Sequence, residues 1–232
     1  MPRASGHGER ALRSVSVEAA WAALGHRDEP SVVWIRSTTG AKAAVLLGAF
    51  DPPTRAHVAL ARGTSRLLGI PAALCLTSVL LDRPSDRLLD DATKLGLLDA
   101  VTGAEGFGFA ISNRGTYLEV ARAMRAGGVD PTFIVGSDKL AQLADPSFYE
   151  DGVAGVDATF SEADFVVVPR AGAPVTGGMH IVEASDVFSD AREGAITATD
   201  VRQRVRAGLT IDDLVPPAVA RALGGYTAAE PT

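Results

Sequence analysis

From residue 43 onward the chain repeats one pattern: a short apolar run, a turn, then a stretch with helical spacing. Apolar runs fall at 43–47, 72–77, 107–111, 132–135 and 165–168, with a further one at 180–182. Helical spacing falls between them at 54–68, 86–101 and 116–126, and again at 199–207 and 217–223. A strand that is apolar at every position, rather than at every second one, is covered on both faces. Strands separated by helices of about 10–16 residues need crossover connections, which run the strands parallel. The expected class is α/β, a doubly wound parallel sheet with C-terminal helices. In such a sheet the ligand crevice opens where the C-terminal ends of strands pass into loops. The loops after Leu47 and after Val135 are therefore the first places to look for a site.

The residues before this pattern differ. Residues 1–14 are small, polar and without period, and read as disordered. Residues 15–24 have helical spacing, with Val17, Ala20, Trp21 and Leu24 on one face, and 31–35 reads as a short strand. Residues 1–40 are thus expected to form a partly disordered N-terminal extension to a main domain over 41–232. The Gly- and Asp-rich stretch 149–161 reads as a mobile surface segment. At 232 residues and 47% hydrophobic the chain can bury a full core without disulfides. Its one cysteine, Cys75, sits in an apolar run and is expected in that core. A net charge of −6 argues against a general binder of nucleic-acid polymers. No apolar stretch is long enough for a membrane span, and the N-terminus lacks a secretory pattern. A cytoplasmic location is the expectation, and the sequence leaves a homo-oligomer open.

Two segments combine polar side chains with an expected helix start. In Gly48-Ala49-Phe50-Asp51-Pro52-Pro53-Thr54-Arg55-Ala56-His57, Gly48 ends a strand and permits a tight turn close to a ligand. The two prolines stiffen the loop and set φ for helix entry. Thr54 and His57, three apart on a first turn, share a face. Unpaired amides and the positive end of the helix dipole lie beside them. A hydroxyl, an imidazole and free amides together suit phosphate oxygens. The second segment is Ile196-Thr197-Ala198-Thr199-Asp200-Val201-Arg202. Either Thr197 or Thr199 can cap the following helix, which carries Arg202 on its first turn. Two further strand ends bear polar residues: Gly136-Ser137-Asp138, where Asp138 is either an N-cap or a ligand contact, and Val168-Pro169-Arg170. None of the four histidines has metal-ligand spacing with Cys or acidic residues, so no protein metal site is expected, and no P-loop occurs.

Taken in order, these segments resemble the nucleotidyltransferase α/β phosphodiesterase superfamily. The first is similar to its Gly-x-Phe-Asp-Pro and His/Thr-x-Gly-His motif, with Thr54 in the first-histidine position and Ala56 where glycine is usual. The second is similar to its Ile-Ser-Ser-Thr-x-Ile-Arg motif, with Ala198 in place of a serine. Gly136-Ser137-Asp138, Val168-Pro169-Arg170 and Leu214-Val215-Pro216 resemble the nicotinate/nicotinamide mononucleotide adenylyltransferases most. The resemblance covers about residues 43–223 and implies a Rossmann-like nucleotidyltransferase domain.

The resemblance implies transfer of AMP from ATP to nicotinate or nicotinamide mononucleotide, with release of pyrophosphate and formation of the NAD-type dinucleotide. It implies His57, Thr54 and Arg202 as catalytic residues. It implies Gly48, Ala49, Phe50, Asp51, Gly136, Ser137, Asp138, Arg170, Thr197, Ala198 and Thr199 as nucleotide contacts. The acceptor phosphate is expected near residues 81–94, on Arg83, Arg87 or Lys94; Lys94, Thr116 and Tyr117 are the acceptor candidates. Leu118 stands where that branch carries a threonine. Mg²⁺ is expected only as carried by the ATP phosphates. Two rivals stay open: another adenylyl- or cytidylyltransferase of the superfamily acting on a phosphopantetheine-type substrate, and a non-catalytic nucleotide-binding homologue.

Overall fold

A computed structural model describes residues 16–25, 27–77, 87–169 and 180–224; the disorder expected over residues 1–14 lies outside them. The strands are β1 (Val32–Arg36), β2 (Lys42–Gly48), β3 (Ala72–Thr77), β4 (Gly108–Ser112), β5 (Asp130–Gly136), β6 (Asp164–Val168) and β7 (His180–Ile181). The longer helices are α1 (Val17–Gly25), α2 (Arg55–Leu68), α3 (Asp91–Glu105), α4 (Tyr117–Ala126), α6 (Val153–Glu162) and α9 (Ala198–Arg206). Shorter ones are α5 (Ser137–Leu143), α7 (Ala184–Val187), α8 (Ala191–Ala195) and α10 (Pro217–Leu223). The described strands form one seven-stranded sheet in the order β1-β4-β3-β2-β5-β6-β7. It is parallel except for β1, which pairs antiparallel with β4, Val32 opposite Ser112. The expected α/β architecture is thus observed, with an antiparallel edge strand supplied from the N-terminal 40 residues.

Alternation along each strand builds two cores. Ala44 and Leu46, Leu74 and Leu76, Phe109 and Ile111, Ile134, and Val166 and Val168 face one side, where they meet α2, α3 and the C-terminal helices. Ala43 and Val45, Ala73 and Cys75, Ala110, Phe133 and Val135, and Phe165 and Val167 face the other, packed against α4 and α5. This double burial is why the strands are apolar at every position. Desolvation pushes the Cys75 thiol far up, so Cys75 is an inert core residue.

Strand order reverses between β2 and β5. Val45 of β2 pairs with both Ala73 of β3 and Phe133 of β5, and successive crossovers leave toward opposite sides. The C-terminal ends of these two strands thus frame a crevice of the kind that binds ligands in open parallel sheets.

Three expectations need correction. Residues 153–162 form α6, with the Thr159 hydroxyl buried against the Gly155 carbonyl; the stretch is rich in Gly and Asp, yet Tyr149 and the helix pack together through Gly155. Helix α3 starts at Asp91 rather than 86, because Asp90 caps it by accepting the Thr93 N–H. That bond holds the Asp90 carboxyl below its ordinary range. Asp138, offered as an N-cap, is not one: α5 starts at Ser137 directly after β5, with Gly136 as its N-cap. Among the described residues no helix is long and apolar enough to cross a membrane.

Gly63 lets the C-terminal segment close over α2. A Cβ there would lie 2.1 Å from the Val187 carbonyl oxygen, a clash with backbone. Gly63→Ala is expected to lower stability by about 1–3 kcal/mol or more, read as a lower urea midpoint with an unchanged slope.

Candidate active site

The loop between β2 and α2 forms one wall of the crevice. Phe50 has φ 45°, an uncommon backbone for a non-glycine residue. In this loop the Phe50 ring lies in contact distance of Gly48 and meets the His57 ring edge-on at 5.1 Å. Pro52 and Pro53 are buried and lead into Thr54, the N-cap of α2.

Thr54 and His57 cap each other. The Thr54 hydroxyl accepts the His57 N–H at 3.3 Å, and His57 Nδ1 accepts the Thr54 N–H at 3.0 Å. The Thr54 hydroxyl also lies 3.0 Å from Nδ1. The expected shared face is therefore a capping box, with histidine in the place usually taken by Glu or Gln. Because Nδ1 accepts, the ring proton sits on Nε2. The box thus presents a neutral imidazole with Nε2–H as its donor. Ala56, where glycine is usual in the resembling motif, is fully buried, so its methyl does not stand in a ligand's path.

Asp51 is turned inward. It is 5% exposed, and its two carboxylate oxygens accept the N–H groups of Leu88 and Leu89, each at 2.9 Å. Lys94, 2% exposed, places Nζ 4.0 Å from one of those oxygens and 3.9 Å from Asp91. Burial pushes the Lys94 ammonium down and the nearby Arg87 adds to this, against the pull of Asp51. The Asp51 side chain thus binds the loop between β2 and α2 to the segment before α3. Lys94 lies under that junction.

The second motif arrives at the same loop. Thr197 caps α9, accepting the Asp200 N–H at 3.1 Å and donating to the Asp200 carboxylate at 2.6 Å. Arg202, 8% exposed, donates to the Asp51 carbonyl and to the Thr199 hydroxyl, each at 3.0 Å. Helix α2 is tied to the C-terminal segment as well, through Arg55 N–H to the Leu214 carbonyl and Arg55 Nε to the Val215 carbonyl. The structure thus brings together Thr54, His57, Thr199 and Arg202, from segments far apart in sequence, around one loop. Ala198 opens α9.

The crevice itself is lined by Gly48, Phe50, His57, Tyr117, Gly136 and Lys139, with apolar residues of β2 and β5 beneath. Lys139 is a cleft residue to which the sequence reading gave no role, though a cation two residues past a strand-end Gly-Ser is a usable signal. Ser137 is buried, and Asp138 lies in the first turn of α5. Tyr117 belongs largely to the core, edge-on to Phe133 at 5.0 Å and to Phe165 at 5.5 Å, while also bordering the cleft. Thr116 caps α4, accepting the Glu119 N–H and donating to its carboxylate at 2.6 Å. Arg170 and Arg83 lie outside the described residues.

No family model matches the chain, and no curated protein matches it in sequence. Among solved structures it is similar to the Plasmodium falciparum nicotinic acid mononucleotide adenylyltransferase complexed with APC. The TM-score is 0.57 at 14% identity, over 78% of this chain and 92% of that chain. The chain has the fold of this adenylyltransferase. On that Rossmann-like fold, α2 starts at the crevice and α9 reaches the same loop through Arg202.

Asp51→Ala removes the acceptor of the Leu88 and Leu89 N–H groups and the buried one of the two carboxylates near the Lys94 ammonium. It is expected to cost about 3–5 kcal/mol, measured by chemical denaturation against wild type.

Proposed function

We propose that the protein transfers AMP from ATP to nicotinate or nicotinamide mononucleotide, releasing pyrophosphate and forming the NAD-type dinucleotide. The observation that supports this most is the convergence of two segments on the loop beside the β2/β5 crevice: the capped start of α2, with His57 lining the crevice, and the Arg202 side chain of α9, which reaches the Asp51 carbonyl. The start of α2 carries a positive partial charge and oriented amides. Arg202 adds a full charge. The resemblance of both motifs, and the fold shared with an adenylyltransferase, support the same reading.

The reaction asks little covalent chemistry of the protein. An oxygen of the acceptor phosphate attacks the α-phosphorus of ATP, and the bond from that phosphorus to the bridging oxygen of the β-phosphate breaks. The electron pair leaves with pyrophosphate. The nucleophile is already an anion, so no protein base is needed. Catalysis is alignment and charge stabilisation. Nε2–H of His57 donates to a phosphate oxygen as charge builds on it, and the Thr54–His57 box holds that donor in place. Backbone amides at Ala49 and Phe50 line the phosphate path. Gly136, Ser137 and Asp138 border the nucleotide, and Lys139 adds a cation at the same edge. Thr197, Thr199 and Arg202 serve the β- and γ-phosphates, Arg202 from behind the loop. Magnesium would enter as part of the nucleotide substrate and would neutralise phosphate charge there, with no ligand from the protein required. The acceptor takes the β3–β4 side of the crevice, near Lys94, Thr116 and Tyr117.

The test is a pyrophosphate-release assay with ATP or CTP against nicotinate mononucleotide, nicotinamide mononucleotide and phosphopantetheine. Release with a pyridine mononucleotide and ATP is the expected result. Release only with phosphopantetheine moves the assignment to that branch, and ATP binding without any release makes the chain a non-catalytic homologue. His57→Asn keeps an oxygen able to accept the Thr54 N–H but removes the Nε2–H donor. It is expected to lower kcat by about tenfold to a thousandfold with little change in melting temperature; turnover within about twofold of wild type removes His57 from the reaction.

A further inference from the structure

The turn between β4 and α4 is held by a part of the chain that the motifs do not include. Asn113, only 7% exposed, spends its whole side-chain amide on residues 27–31. Its Oδ1 accepts the Ser31 N–H at 2.8 Å, and its Nδ2 donates to the Arg27 carbonyl at 2.9 Å and the Glu29 carbonyl at 3.0 Å. Its own N–H donates to the Ser31 carbonyl at 3.2 Å. Arg114 adds a donor to the Asp28 carbonyl. Every carbonyl named here belongs to a segment that precedes β1 and has no place in the phosphate motifs.

The other side of the same turn faces the crevice elements. Thr77, the last residue of β3, donates its hydroxyl to the Arg114 carbonyl at 2.9 Å, and the Arg114 N–H donates to the buried Ser112 hydroxyl at 3.1 Å. Arg114 Nε lies 3.4 Å from the Glu119 carboxylate, which also receives the Thr116 hydroxyl. Tyr117, one residue beyond, borders the cleft together with His57. A continuous set of hydrogen bonds therefore runs from residues 27–31 to Asn113 and Arg114, and one ion pair, Arg114 to Glu119, carries it to the start of α4.

We propose that Asn113 is a positioning residue for the acceptor: it docks residues 27–31 onto the turn 113–116 and so holds Thr116 and Tyr117 in the shape that receives the mononucleotide. This rests on the reading of the β3–β4 side as the acceptor side. The N-terminal segment is then a working wall of the site, supplied by residues outside the motifs. Carbonyl groups pinned by one amide have no slack, and a shift of about 1 Å in a substrate-positioning element costs on the order of a hundredfold in rate.

The experiment compares wild type, Asn113→Ala and Arg114→Ala by steady-state kinetics, thermal melting and equilibrium titration with nicotinate mononucleotide. The expected result is a rise of about fivefold or more in KM for the mononucleotide, with KM for ATP within about twofold. Asn113→Asp, which keeps the acceptor for Ser31 but loses both donors, is expected to fall between. A melting temperature lowered with both KM values unchanged, or both KM values raised together, overturns the proposal. If Asn113→Ala does not fold, Arg114→Ala, which cuts the same segment at Asp28, decides by the same criteria. Wild type that binds the mononucleotide without turnover sinks the transferase reading and leaves the clamp to be judged on affinity alone. There, variants binding as tightly as wild type overturn it, and wild type that does not bind overturns both.

Discussion

One buried carboxylate organises this molecule. Asp51 lies at a point where three stretches of chain must meet: the loop after the central strand, the segment entering α3, and the C-terminal helix α9. Its side chain takes the Leu88 and Leu89 amides, and its carbonyl takes Arg202. A charge shut away from water is costly unless it is hydrogen-bonded or paired, and here two amides donate to it and the Lys94 ammonium stands 4.0 Å away as counter-charge. The interaction is local in space and remote in sequence. It therefore fixes the relative position of elements that packing alone would leave free to slide.

Given that junction, the chemistry follows from backbone orientation. Parallel strands all end on one edge, so the helices that follow them start there. The Thr54 cap occupies part of the α2 start and leaves the rest of its positive field at the crevice. The Thr54–His57 pair does both at once: one ring nitrogen serves the fold and leaves the other carrying the proton. In α9 the cap is a threonine–aspartate pair, so a negative group sits beside the amides there. Arg202, on the same helix, instead turns its charge to the Asp51 carbonyl and the Thr199 hydroxyl.

Much of this architecture was readable from residue pattern. Strands covered on both faces are apolar throughout, and those runs placed β2 to β6 within two residues of their observed ends. Thr54 and His57 announced a shared face by spacing alone. Asp51 did not reveal its direction, because its partners are backbone amides more than thirty residues away, and amides carry no sequence signal. Tyr117, expected as a ligand residue from its neighbourhood, also packs edge-on to Phe133 and Phe165, a core role that its local sequence does not announce. Helix α6 was hidden because Gly and Asp weigh against helices locally, whereas its packing onto Tyr149 is set by the tertiary fold. The antiparallel sense of β1 depends on where the preceding chain is anchored, a matter for Asn113 and for no periodicity.

The reversal of strand order at the sheet centre also bears on how the chain acquires its fold. β2 pairs with β3 nearby in sequence, but with β5 only after the whole first half of the sheet and its helices have been threaded between them. Pairings that span long stretches of chain pay their loop entropy before contacts repay it, and form slowly. The crevice lies along that long-range seam. A nascent or half-folded chain thus has β2 paired on one side only, and the crevice is framed only when β5 closes the last central pairing.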